Sequence, residues 1–135
     1  MRLTPDLLST SLSYLNPLKE RELDLRGHKI PAIENLAVAG PQDAIDLTDN
    51  ALTTLSNFPL SSRLSTLLCA RNRITHLAPS LSASLPNLRV LVLTANNISS
   101  FTEIANLRGC RRLTHLVLVD NPVVTKEVRT HSLIP

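Results

Sequence analysis

Three groups of side chains in this 135-residue sequence could do chemistry: four histidines, two cysteines, and acids and bases at regular spacing. His28, His76, His115 and His131 stand at unrelated spacings, and none has a cysteine or serine motif nearby that would make a nucleophile–base pair. Cys69 and Cys110 form neither a CxxC pair nor a disulfide framework, so they read as reduced thiols of an intracellular protein. With only three glycines there is no phosphate-cradling loop, and no metal-ligand spacing occurs. Asp24 and Asp46 are different. They sit in matching words, ELDLR and AIDLT, and carboxylates in the same phase of a repeat are stacked neighbours. Such a pair can share a proton or face a basic partner, and partner contact is the preferred reading. The bases Arg26, Lys29, Arg71 and Arg73 recur in the same way and could meet phosphates along one edge. The expectation is a non-catalytic protein with no cofactor, metal or small-molecule substrate.

The elements that position these residues are organised around Leu88 to Phe101, LRVLVLTANNISSF. Leu91 and Leu93 alternate and point to one face of a short strand. Asn96 ends the strand, where its amide can bond backbone groups that the turn leaves unpaired. Ile98 and Phe101 return to the core. The pattern Leu-x-x-Leu-x-Leu-x-x-Asn-x-Ile-x-x-Phe is a leucine-rich repeat unit, which cannot bury its apolar face alone. Its neighbours align on His28, Asn50, Asn72 and Asn121, at steps of 22, 22, 24 and 25 residues. Cys69 takes a core strand position, as a small hydrophobe. The predicted fold is an α/β leucine-rich repeat solenoid of about five repeats, with a parallel concave sheet and an N-terminal cap helix.

The core phase fixes which residues face outward. Four residues before the Asn position the series is Asp24, Asp46, Leu68, Val92, Val117; two before it, Arg26, Thr48, Ala70, Thr94, Val119. Six before it, the series is Glu22, Ala44, Thr66, Val90, His115. The concave face therefore shifts from charged to apolar along the chain. Leu68, Ala70, Val90, Val92, Val117 and Val119 should form one patch, fringed by Asp24, Arg26 and Asp46. An exposed apolar sheet surface of this kind is a docking site for a partner's helix or sheet. The three aromatic residues provide no base-stacking platform, so independent reading of single-stranded RNA is not expected.

At this length the chain is one domain, residues 1–135, with a net charge of +3. Residues 1–19 read as an N-terminal cap, 20–124 as the repeats, and 125–135 as a short or truncated C-terminal tail. Thr4 is the expected N-cap of a helix over 4–15, with Pro5 and Asp6 in its first turn and Leu7, Leu8, Leu12 and Leu15 on one apolar face. Asn16-Pro17 would end it. Residues 81–85, between Pro79 and Pro86, should form a helical turn, and 102–110 a helical arm ending at Gly109. No apolar run approaches a membrane span, and no signal-peptide core is present.

Particular words go further than the repeat. RELDLRGHKIPAIENL (21–36), DAIDLTDN (43–50), FPLSSRLSTLL (58–68), NRITHL (72–77) and LPNLRVLVLTANNI (85–98) closely resemble the A-prime family of U2 small nuclear ribonucleoprotein proteins. The likeness runs in register over roughly residues 3–124. It implies a nuclear, non-catalytic splicing scaffold. Its concave face would take a helix of an RNA-recognition-motif protein of the B-double-prime type, and the pair would hold a U2 small nuclear RNA stem-loop. Asp24, Arg26 and Asp46 would then face the partner, with Arg26 and Lys29 near RNA. His28 departs from the aromatic residue frequent in relatives, and the sequence diverges after Val124. The alternative reading is a regulatory subunit of a protein phosphatase, which also uses 22-residue repeats; a tubulin- or dynein-associated repeat protein fits the architecture but not the RELDLRGHKIP words.

Overall fold

The computed structural model describes residues 2–125. Strand β1 (Ser13–Leu15) runs antiparallel to β2 (Arg21–Asp24), and from there every neighbour is parallel: β3 (Ala44–Asp46), β5 (Thr66–Leu68), β7 (Val90–Val92) and β8 (His115–Val117). The register pairs Glu22, Ala44, Thr66, Val90 and His115 in one line, which is the predicted stacking. Strands β4 (Thr54–Leu55) and β6 (His76–Leu77) form a second small parallel sheet on the returning arms. Those arms also carry a 3-10 helix (Leu36–Ala39), α2 (Leu81–Ser84), α3 (Phe101–Ala105) and, at the end, α4 (Pro122–Thr125).

The core lies between strands and returning arms. Leu23, Leu25, Leu47, Leu67, Cys69, Leu91 and Leu93 enter it from the strands, and Ile30, Leu52, Ile74 and Ile98 from the arms; all are buried. Each such side chain contributes roughly 1.5–3 kcal/mol when removed from water. The asparagines lace the stack. Asn72 accepts from the Leu52 N–H at 3.0 Å and donates to the carbonyls of Leu47 and Cys69 at 3.0 and 3.1 Å, so one amide ties two repeats. Asn50, Asn96 and Asn121 do the same. The residue before each rung is left-handed: Gly27, Asp49, Arg71, Ala95 and Asp120 have φ of 69°, 65°, 54°, 57° and 62°. That turn aims the Asn side chain inward.

The N-terminus departs from expectation. Helix α1 spans Pro5–Thr10, with the Thr4 hydroxyl accepting from the Leu7 N–H at 3.1 Å, but it does not reach residue 15. The hydroxyls of Ser9, Thr10 and Ser11 donate to the carbonyls of Pro5, Asp6 and Leu7, a competition that weakens the helix at its end. The chain then becomes β1, because the unpaired edge of β2 needs a hydrogen-bonded partner that a helix could not supply. Asn16 builds the hairpin rather than ending a helix: its Oδ1 accepts from the N–H groups of Leu18 and Glu20 at 2.9 and 3.0 Å. Leu12 and Leu15 are consequently 60% and 61% exposed instead of lying on a buried helix face, while Leu3 and Leu8 are buried.

Helix α2 falls on the expected turn at 81–84. Helix α3 is shorter than the predicted arm, and Gly109 does not cap it. A Cβ at Gly109 would collide with the Ser82 side chain, so glycine is required there for close packing. At the far end Leu113, Leu116 and Leu118 are only partly buried against the core. Of the predicted tail, residues 126–135 lie outside the described residues.

Candidate protein-docking face on the parallel sheet

Because successive strand residues alternate, Asp24, Asp46, Leu68, Val92 and Val117 form one line on the face away from the core. The line holding Thr48, Ala70, Thr94 and Val119 is joined by backbone bonds of about 2.8–3.1 Å from the next residue of each preceding repeat. Val90 stands beside Thr66 and His115. Leu68, Ala70, Val90, Val92 and Val117 are half-buried and Val119 is 57% exposed. The structure therefore gathers the six predicted aliphatic residues on one surface.

The charged end is a closed network. Asp24 accepts from the backbone N–H of Arg26 at 3.1 Å and from its Nε and Nη2 at 3.0 and 3.1 Å. Asp46 lies 3.8 Å from the same Nε and accepts from the Thr48 N–H at 3.0 Å. The Arg26 guanidinium is shared by the two carboxylates. It holds Asp24 below the usual carboxylate range, and Asp24 in turn keeps Arg26 charged. Two carboxylates bridged by one arginine form an ion-pair network suited to recognition.

Two residues of this face were illegible in the sequence. With 13–15 as a strand, Tyr14 lies on it, donating to Glu22 at 2.7 Å, while Asn16 donates to the other Glu22 oxygen at 3.1 Å. Glu22 raises the Tyr14 pKa. Leu12, of the same parity, lies beside Asp24, whose N–H it accepts at 2.8 Å. The signal was the Asn-Pro pair just ahead of a strand, which marks a hairpin as readily as a helix end.

The four bases divide. Arg26 and Arg71 line one shallow depression with Asp24, Gly27, Thr48 and Asp49. Lys29 and Arg73 are exposed one residue past the rung, two repeats apart. The histidines are dispersed: His76 meets Glu103 at 2.8 Å on the returning arms, and His115 contacts Thr114. His131 lies outside the described residues. Burial pushes the Cys69 thiol well above its ordinary pKa and raises that of Cys110, which suits structural rather than nucleophilic roles.

The family model described as "Leucine-rich repeat" matches residues 1–134. The chain belongs to the leucine-rich repeat family. Within that family it is a homologue of the U2 small nuclear ribonucleoprotein A' proteins. It is 60% identical to the one from Aspergillus fumigatus over 127 residues, covering 94% of this chain and 50% of that protein. Against the Arabidopsis thaliana protein the identity is 48%, covering 93% and 51%. The chain thus spans about half the length of the curated relatives it matches. Among solved structures, it superposes on a chain of the Drosophila melanogaster SNF/U2A' complex with a TM-score of 0.90 and 45% identity, covering 93% of this chain and 72% of that one. The leucine-rich repeat fold and its sheet topology are shared with that chain.

Proposed function

We propose that the chain is the repeat domain of a non-catalytic scaffold of the U2 small nuclear ribonucleoprotein, working in pre-mRNA splicing in the nucleus. In this reading residues 1–19 cap the solenoid and residues 20–124 present the docking face. The partner is an RNA-recognition-motif protein of the B-double-prime type. It seats on the sheet through Leu68, Ala70, Val90, Val92, Val117 and Val119, and is oriented by Asp24, Arg26 and Asp46. U2 small nuclear RNA is bound mainly by the complex, with Arg26, Lys29, Arg71 and Arg73 near its phosphates.

The observation that carries the docking is the outward line Leu68–Val92–Val117, an aliphatic strip on the solvent side of a sheet held rigid by the Asn rungs. The likeness to a chain from a SNF/U2A' complex supports the choice of partner. A preformed surface needs little ordering on binding, and a standard interface of roughly 800 Å² per partner would suffice.

The experiment is a pull-down of this chain from nuclear extract, with and without ribonuclease, using wild type and the variants Leu68→Arg and Val92→Glu. The expected outcome is capture of an RNA-recognition-motif protein that survives ribonuclease and is lost in both variants, with their circular dichroism unchanged. Capture of a phosphatase catalytic subunit instead would refute the splicing reading.

A further inference from the structure

The edge of the sheet where the strands begin carries two features that the docking face does not use. One is a cavity of about 300 Å³ between the first returning arms. Its floor is core, with Leu23, Leu36, Ile45 and Leu64 lining it, and the exposed residues Pro41, Leu60 and Arg63 border its mouth. Leu60 is 76% exposed, and Val38, the equivalent residue one repeat earlier, is 54% exposed. An apolar hole reaching buried leucines, with a leucine held out in water beside it, is suited to a foreign aliphatic side chain.

The other feature is a row of arginines running from that mouth along the same edge. Arg63 stands three residues before β5, Arg89 one before β7, and Arg112 three before β8, next to Arg111. Backbone bonds tie Arg89 to the strand entry on either side, which the other arginines precede by two or three residues: the Arg89 N–H donates to Ser65 and the Arg89 carbonyl accepts from Thr114. Arg63 is paired with Asp43 at 2.9 Å. Arg89, Arg111 and Arg112 form no ion pair among the described residues. Between residues 85 and 119 Glu103 is the one carboxylate, and it is engaged by His76 and by the Leu77 N–H.

We infer that this edge is a second docking site, for an extended acidic peptide that places one leucine-like side chain in the cavity and its carboxylates along the arginines. From β5 to β8 the row spans two strand spacings, about 10 Å, which is the reach of about three extended residues. Charge complementarity selects the acidic partner, and the cavity selects a peptide over a nucleic acid, because a phosphate backbone has nothing apolar to insert. The site lies off the sheet face, so it is independent of the docking reading above.

The test uses the full chain and a fluorescein-labelled peptide with one leucine followed by a run of glutamates, read by anisotropy. Leu60→Ser on the protein, leucine→serine on the peptide, and the pair Arg111→Glu with Arg112→Glu should each weaken binding about tenfold. Both protein sites are exposed, and thermal unfolding checks that the variants remain folded. Peptide binding that ignores Leu60→Ser and the leucine-free peptide would overturn the anchor. A duplex RNA that binds through Arg111 and Arg112 while the peptide fails to bind would overturn the peptide assignment in favour of nucleic acid. Loss of the RNA-recognition-motif protein with retention of the peptide would leave this site standing and remove only the sheet-face reading.

Discussion

The β2–β3 end of the sheet and the β7–β8 end share one backbone plan and have opposite surfaces. At the first, Asp24, Asp46, Glu22, Tyr14 and Arg26 point outward and satisfy one another at 2.7–3.8 Å. At the second, Val90, Val92, Val117 and Val119 point outward with no polar group to satisfy. A self-satisfied charge network gains little when a partner arrives, because each new contact competes with an existing one. An aliphatic strip gains in proportion to the area it loses to water. On the proposed docking reading, the two ends therefore divide the work: the apolar end supplies affinity and the charged end supplies orientation.

The largest effect should come from reversing the character of the apolar end. Val92→Glu is expected to weaken the RNA-recognition-motif partner by at least about 100-fold, mostly through faster dissociation, since a charge would be buried unpaired. Arg26→Ala should cost about tenfold or less, mostly in association rate and only at low salt. Surface plasmon resonance at two ionic strengths separates them, and the opposite ranking would mean that the charged end dominates.

Next in size is the frame that both ends share. Asn72→Ala removes an amide with one acceptor and two donor bonds in a buried site, and should cost about 3 kcal/mol in urea unfolding. The first rung has no amide. His28 fills it, and its N–H is instead served by Asn50 at 3.0 Å. His28→Ala should therefore change stability by less than about 0.5 kcal/mol. Equal losses would mean that the ladder is not what holds the repeats together.

Most of this frame was legible in the sequence because it is local. A leucine alternation and an asparagine a fixed step later set strand, turn and register together, and the register then placed every outward residue. What failed was non-local. Leu7, Leu8, Leu12 and Leu15 have helical spacing, yet the open edge of β2 outcompetes the helix after Thr10. Nor could the sequence show that Arg26 bridges Asp24 and Asp46, because only the stacked strands bring the three together. The cavity over Leu23 and Ile45 has no sequence signature, since it is a gap between arms rather than a run of residues.

A smaller effect tests the turn that both ends repeat. Gly27 and Ala95 occupy the same left-handed position, at φ 69° and 57°. A side chain costs about 1 kcal/mol there, so Gly27→Ala should destabilise by about that amount, and Ala95→Gly should stabilise by a few tenths to about 1 kcal/mol. Opposite signs from one substitution pair, read in the same denaturation assay, would show the two ends to be built on one backbone.

The smallest effect should be a loss of stability on acidification, confined to the charged end. Asp24, Glu34 and Asp43 are each held below the usual carboxylate range, chiefly by side-chain hydrogen bonds from Arg26, Arg2 and Arg63. All three lie ahead of β5. A carboxylate with a depressed folded pKa contributes stability above its unfolded pKa of about 4, and loses it as pH falls toward the folded value. These pairs are partly exposed, with the Arg26 side chain 59% accessible, so solvent screens the gain. Hydrogen exchange from neutral pH down to about 3 should therefore show protection falling first in β2 and β3, while β7 retains it until global unfolding. Asp24→Asn removes the proton-linked part, so it should lower stability slightly at neutral pH and converge on wild type in acid. A difference that persists below the folded pKa would assign the loss to packing rather than charge.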